Sequence, residues 1–168
     1  KATEAFKESK ADFIVAFGGG SPLDVAKAVA VLATYGGNIV DYEGGGKVPG
    51  SIVPMIAIPT TAGTGSEVTA FSVITDHSRN YKLTVVSNYL LPMYAILDPE
   101  LITTVPAGTA SACGIDAMVH ALEAYISKTS SPFSDIFAKE ALRLIGGNLR
   151  DYVADRSNLA RSEEHTSE

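Results

Sequence analysis

The sequence predicts a partial α/β domain over residues 1–105, followed by the beginning of an all-helical domain over residues 106–160. Three observations lead there. Short apolar runs alternate with helical patterns through the first two thirds of the chain. Glycine-rich turns follow two of those runs, GGG at 18–20 directly and AGTG at 62–65 after Pro59, Thr60 and Thr61. From about Pro106 strand signals stop and only helical periodicity remains.

Residues 1–12 (KATEAFKESKAD) read as a charged amphipathic helix and not as a signal peptide. They lack an initiator Met, so the expectation is an internal piece of a longer protein. Residues 13–17 (FIVAF) form a continuous apolar run, the pattern of a strand buried on both faces of a parallel sheet. After GGGS comes the helical stretch PLDVAKAVAVLAT, with Ser21 expected as N-cap, Pro22 as first helical residue and Asp24 near the positive end of the helix dipole.

Residues 35–51 are glycine-rich and read as a long exposed connection. Residues 55–58 (MIAI) predict a second buried strand, running into PTTAGTGSE. Residues 71–75 and 82–86 alternate as strands, joined in a hairpin by the turn-rich DHSRN. Residues 94–98 (YAILD) predict one more strand, stopped by Pro99. Two helical segments follow, 106–127 and 131–155, and no internal repeat is present. The string 161–168 (RSEEHTSE) resembles translated sequencing-adapter read-through and is expected to be a non-native tail, so His165 receives no role.

Hydrophobic residues make up 46% of the 168 and charged residues 19%, the profile of a folded globular chain. A net charge of −6 with scattered basic residues argues against a nucleic-acid or anionic-membrane surface. No apolar run approaches the roughly 20 residues that span a bilayer. The single cysteine, Cys113, cannot form an internal disulfide, and a reducing, cytoplasmic setting is expected.

Three segments carry chemistry. In GGGS the glycines permit close backbone approach, and the helix that follows aims free N–H groups at the same point, a cradle for phosphate or pyrophosphate. The string is not GxGxxG, because Leu23 stands at the third glycine position, and a plain tight turn is the alternative. Asp41 stands at a tempting distance for a ribose contact but reads as solvated surface. In PTTAGTGSE, Thr60, Thr61, Thr64 and Ser66 offer hydroxyls and Gly63 and Gly65 offer N–H groups at the carboxyl end of a strand, where open α/β sheets bind ligands. The alternative is a loop capping a helix that starts near Glu67.

In GIDAMVHALEAY, Asp116 and His120 are spaced i, i+4 on one helix face. A carboxylate and an imidazole so placed can share one divalent cation, and they suit iron or zinc better than calcium. Apolar neighbours (Ile115, Met118, Val119, Leu122) predict partial burial, which makes a lone carboxylate costly and favours a metal over a surface hydrogen-bonded pair. Glu123 and Tyr125 read as helix-stabilising, His77 as structural or solvated, and Cys113 as a small packed residue.

GGGSPLDVAK (18–27), PTTAGTGSE (59–67) and GIDAMVHALEAY (114–125), in this order, resemble the iron-containing (group III) alcohol dehydrogenases over essentially residues 1–160. The resemblance implies a Rossmann-like nucleotide-binding domain and a helical domain with the active site in the cleft between them, the dehydroquinate synthase-like architecture. It implies that Gly18, Gly19, Gly20 and Ser21 cradle the pyrophosphate of NAD or NADP. Thr60, Thr61, Thr64 and Ser66 would line the nicotinamide end, Lys82 would reach the ribose region and Leu101 would pack near the cofactor. Asp116 and His120 would be two of four protein ligands to a catalytic Fe²⁺ or Zn²⁺. The implied reaction is hydride transfer between a small alcohol or diol and the nicotinamide, reversed as aldehyde or ketone reduction, with the alcohol acidified by the metal. It also implies a homo-oligomer when full length.

Same-fold zinc polyol dehydrogenases, metal-independent maleylacetate reductases and dehydroquinate synthase are competing readings, as are a catalytically dead nucleotide-binding remnant and a piece of an aldehyde–alcohol dehydrogenase fusion. The isolated 168-residue chain is expected to be inactive and poorly folded.

Overall fold

The computed structural model describes residues 1–158; the segment read as a non-native tail, with His165, lies outside the described residues. In chain order the elements are α1 (Ala2–Ser9), β1 (Ile14–Gly18), α2 (Gly20–Tyr35), β2 (Gly44–Gly45), β3 (Met55–Pro59), β4 (Phe71–Asp76), β5 (Tyr81–Val86), β6 (Tyr94–Ala95), α3 (Ala107–Ile126) and α4 (Pro132–Ala154). Short 3-10 helices cover Ile39–Tyr42, Ser66–Val68, Asn88–Leu90 and Pro99–Ile102. The chain divides into two units, Lys1–Pro59 with Ser66–Ile96, and Thr60–Gly65 with the residues from Leu97 onward. In this division Ile102 and Val105 belong to the helical core of the second unit.

In the first unit β1, β3 and β6 form a parallel sheet in the order β1-β3-β6. The register runs from Ile14↔Met55 to Gly18↔Pro59, so β1 ends at the glycine turn directly beside Pro59, the last residue of β3. α2 buries Leu23 against Ala16, Met55 and Ala57 on one face of this sheet. Full burial of a leucine contributes about 1.5–3 kcal/mol. The other face is open: Val15 is 52% and Phe17 59% exposed. Burial on both faces is therefore corrected, since within this unit the apolar run is packed only where α2 lies.

Strand β6 is shorter than expected. Ile96 N–H still reaches the Ala57 carbonyl at 2.9 Å, but Asp98 then turns to cap the 3-10 helix Pro99–Ile102, accepting from Glu100 N–H at 2.9 Å. A carboxylate one residue before Pro makes a better helix start than a strand end.

The second sheet has the order β2-β5-β4. The expected hairpin is present, with β4 and β5 paired from Phe71↔Val86 to Asp76↔Tyr81. Its turn is tied by Asp76, whose carboxylate accepts from Ser78 N–H (2.9 Å), Ser78 Oγ (2.6 Å) and Arg79 Nε (2.7 Å). These bonds hold the Asp76 carboxyl down at about 2. His77 is exposed on that turn. The 35–51 connection is more ordered than its glycine content suggests: Asn38 and Asp41 form a reciprocal capping box, with Asn38 N–H donating to Asp41 Oδ2 at 2.8 Å. Val31 of α2 packs with Tyr42, Val48, Leu83, Val85 and Leu90 in this region's core.

In the second unit α3 and α4 form a helical hairpin around Ile102, Val105, Ala110, Ile145, Leu149 and Tyr152, with Ala62 and Met118 packed alongside. Ser131 caps α4 with Pro132 in its first turn, as the sequence signals. The buried Tyr152 hydroxyl donates to the Ile102 carbonyl at 3.0 Å. Lys139 of α4 lies 5.0 Å over the Tyr125 ring of α3, consistent with a helix-stabilising role for Tyr125. No helix among the described residues is long and apolar enough to cross a membrane.

Candidate functional site

The glycine turn begins at Gly18, whose φ is 148° and whose missing side chain leaves room for Pro22; a Cβ there would lie 2.8 Å from Pro22 Cγ. Helix α2 starts earlier than expected. Its N-cap is Gly19, in an extended conformation, and the first intrahelical bond runs from Leu23 N–H to the Gly19 carbonyl at 3.3 Å. Ser21 and Pro22 are therefore inside the first turn, not N-cap and first residue. The sequence was ambiguous here because none of the first N–H groups has an intrahelical partner, so Pro is tolerated at more than one position. The shift places the Gly20 and Ser21 N–H groups at the free, positive end of a 16-residue helix, with the Ser21 side chain exposed.

Asp24 lies beyond that first turn and does not serve the helix dipole. Its Oδ1 accepts from Ser66 Oγ at 2.5 Å, its Oδ2 from Val73 N–H at 3.0 Å, and its backbone carbonyl from Ser72 Oγ at 2.8 Å. One turn further, Lys27 is wholly buried, and its Nζ donates to the carbonyls of Thr69 (2.8 Å) and Phe71 (2.7 Å) and to Thr69 Oγ1 (3.2 Å). Burial pulls the Lys27 ammonium down to about 8, opposed by the carboxylates of Asp24 and Glu67. Burial also pushes Glu67 above the usual carboxylate range, its backbone and Lys27 opposing. The sequence reading missed both residues. A signal was there: Lys27 falls on the face of α2 that buries Leu23, Ala28, Ala30 and Val31, where an isolated charge needs a partner.

Ser66, expected to line a ligand, is instead 3% exposed, with its hydroxyl given to Asp24. Hydroxyl content alone does not reveal which way a side chain faces. The helix considered near Glu67 is a single 3-10 turn, Ser66–Val68. Lys82 lies exposed on β5, opposite Thr75.

In the second unit Thr60 and Thr61 are half-buried and Thr64 is exposed. Gly63 presses directly on α3, where a Cβ would meet the Cys113 carbonyl oxygen at 2.6 Å. This close approach sets the Gly63 carbonyl 3.3 Å from Nδ1 of His120. A carbonyl only accepts, so the contact selects the tautomer with the proton on Nδ1 and leaves the Nε2 lone pair free. Nε2 faces Asp116 Oδ1 at 3.9 Å. Two ligand bonds of about 2.0–2.2 Å span such a separation, so the donor pair fits one Fe²⁺ or Zn²⁺. The imidazole held by a backbone carbonyl is the usual outer-shell support of a metal-bound histidine.

The expected partial burial of this pair is corrected. The Asp116 and His120 side chains are 51% and 53% exposed, because Ile115, Val119 and Leu122 are themselves exposed and cover nothing. Among the described residues no third His, Cys, Asp or Glu joins them. Cys113 is half-buried and packs on Gly63. Burial, with a further push from Asp116, raises its thiol pKa, which is the opposite of an activated nucleophile. Leu101 is half-buried in its 3-10 helix beside the core residue Ile102.

The family model described as iron-containing alcohol dehydrogenase matches residues 1–99. The model described as Fe-containing alcohol dehydrogenase family, C-terminal, matches residues 110–167. An NAD-dependent methanol dehydrogenase of Bacillus methanolicus is 44% identical over 163 residues, 97% of this chain and 43% of the relative. A 1,3-propanediol dehydrogenase of Citrobacter freundii is 43% identical over 160 residues, 95% of this chain and 41% of the relative. A crystal structure of a 1,3-propanediol oxidoreductase superposes with TM-score 0.94 at 41% identity, covering 98% of this chain and 43% of that one. A sulfoacetaldehyde reductase from Bifidobacterium kashiwanohense, solved in complex with NAD+, superposes with TM-score 0.90 at 37% identity over 98% of this chain and 44% of that one. The chain thus spans less than half the length of these relatives. With its sheet, its glycine turn and its helical pair accounted for by both family models, the chain belongs to the iron-containing alcohol dehydrogenases.

Proposed function

We propose that the whole protein carrying this chain is a metal-dependent oxidoreductase that moves hydride between a small primary or secondary alcohol, or a diol, and NAD or NADP. The observation that carries this reading is the donor pair on α3, with the Gly63 carbonyl on Nδ1 of His120 and Nε2 turned towards Asp116. Asp116 and His120 hold the metal. When bound, Fe²⁺ or Zn²⁺ acidifies an alcohol oxygen, or in reverse polarises a carbonyl.

The remaining residues bind and orient. Gly20 and Ser21 present N–H groups at the α2 terminus to the cofactor pyrophosphate, and Gly18 and Gly19 let it approach the backbone. The hydroxyls of Thr60, Thr61 and Thr64 direct the nicotinamide end; Ser66 contributes through Asp24 and not by contact. Lys82 reaches the cofactor ribose region and Leu101 packs near the cofactor.

The test is to strip the full-length protein with a chelator, then add back Fe²⁺ or Zn²⁺ and follow NAD(P)H formation with short alcohols and diols. Activity should vanish on stripping and return with one of the two metals. Undiminished turnover after complete metal removal would reject this reading in favour of a metal-independent reductase of the same fold.

A further inference from the structure

We propose that Asp24 and Lys27 are positioning residues for the nucleotide site, acting through the segment Ser66–Val73 and not by touching the cofactor. The inference rests on the nucleotide-binding reading above and names residues which that reading leaves without a role.

The geometry is specific. α2 carries the free N–H groups of Gly20 and Ser21 at its start and Asp24 one turn later, so a rigid helix links them. Asp24 grips Ser66, the residue at which the threonine loop rejoins the first unit, and also the N–H of Val73 at the head of β4. The loop's other end is set by the Gly18↔Pro59 register of β1 and β3. Pro59 and Ser66, the two first-unit residues that flank Thr60–Gly65 in sequence, are therefore both referenced to the glycine turn, one through strand pairing and one through Asp24.

Lys27 completes the grip. Between the 3-10 turn Ser66–Val68 and the start of β4 the backbone is irregular, and its carbonyls need donors from elsewhere. The ammonium of Lys27 supplies them to Thr69 and Phe71, fixing where the segment leaves α2. An apolar side chain would fill the same space with comparable stability, since buried charges gain little net energy. It could not specify the path of the backbone. A wholly buried lysine whose hydrogen-bond partners all lie on this one segment is thus a device for geometry, and the geometry it sets is that of Ser66–Val73 against α2, the helix that begins at the glycine turn.

The experiment uses the full-length, metal-loaded protein and the variants Ser66→Ala, Asp24→Asn and Lys27→Met. NAD(H) and NADP(H) dissociation constants, KM for nucleotide and for alcohol, kcat, bound metal and Tm are read for each. Ser66→Ala and Asp24→Asn should weaken nucleotide binding about tenfold, the size of one hydrogen bond to a charged group. The loss should appear in the nucleotide dissociation constant and nucleotide KM of protein that is still folded. Should Lys27→Met fail to fold, the two conservative variants decide the matter alone. A fall in Tm with unchanged nucleotide affinity in both would overturn the proposal, leaving the network purely structural. A wild-type protein that binds neither nucleotide at millimolar concentration would instead remove the nucleotide reading on which it rests.

Discussion

The carbonyl oxygen of Gly63 and Nδ1 of His120 lie 3.3 Å apart, 57 residues distant in sequence, and this contact decides which nitrogen of the imidazole is free. It exists because Gly63 has no side chain: its Cα sits against the Cys113 backbone, where a Cβ would come within 2.6 Å of the carbonyl oxygen. Gly63→Ala should push the loop off α3, release His120 and weaken metal binding about 10- to 100-fold, the usual consequence of losing an outer-shell partner. Chelator competition on the full-length protein measures this. Metal affinity equal to wild type in a folded Gly63→Ala protein would show that the carbonyl does not orient the ring. His120→Ala and Asp116→Ala, which remove ligands outright, should lose at least as much.

Two glycines of α2's approach and of α4 should respond in opposite directions. Gly18→Ala meets both a φ of 148° and Pro22 at 2.8 Å, so it should destabilise by about 1–3 kcal/mol and weaken nucleotide binding. Gly146→Ala lies inside α4 with nothing within 4 Å of the new Cβ, and should stabilise by about 0.5–1 kcal/mol. Urea denaturation of both variants beside the wild type tests the pair, and shifts of the same sign would contradict it.

Lys27 makes stability depend on alkaline pH. Its folded-state pKa is about 8 against 10.5 when unfolded. Between those values the unfolded chain keeps a proton that the native state has released, so unfolding takes up protons and stability rises with pH. Below about 8 both states are charged and this group adds no slope. The slope is at most about 1.4 kcal/mol per pH unit. Asp24 and Glu67 are the carboxylates that face Lys27 and oppose its loss of charge. Denaturation midpoints from pH 7.5 to 10.5 should therefore climb more steeply in wild type than in Lys27→Met, and parallel curves would count against the assignment.

Tyr152→Phe should cost about 0.5–1.5 kcal/mol, because it removes the 3.0 Å hydrogen bond to the Ile102 carbonyl, which keeps the Val105 N–H at 3.2 Å. Thermal unfolding reads the loss. Nucleotide affinity should not change, since Tyr152 and Ile102 both belong to the helical core.

Much of this protein was legible from residue order alone. Apolar runs, glycine turns and helical periodicity located the strands, the hairpin and both long helices, because each depends on patterns within a few residues. The i, i+4 spacing placed Asp116 and His120 on one helix face for the same reason. What only the tertiary structure decided was direction and partnership. Ser66 turned inward to Asp24, Lys27 found its acceptors on Thr69 and Phe71, and His120 was oriented by a loop far away in the chain. Likewise β1 was covered on one face only, and the Asp116–His120 pair stayed half open. Local sequence determines which conformation a segment prefers. Which polar atoms meet is set by packing between segments many residues apart, where a buried charge or a close glycine contact is satisfied only by the particular neighbour the fold supplies.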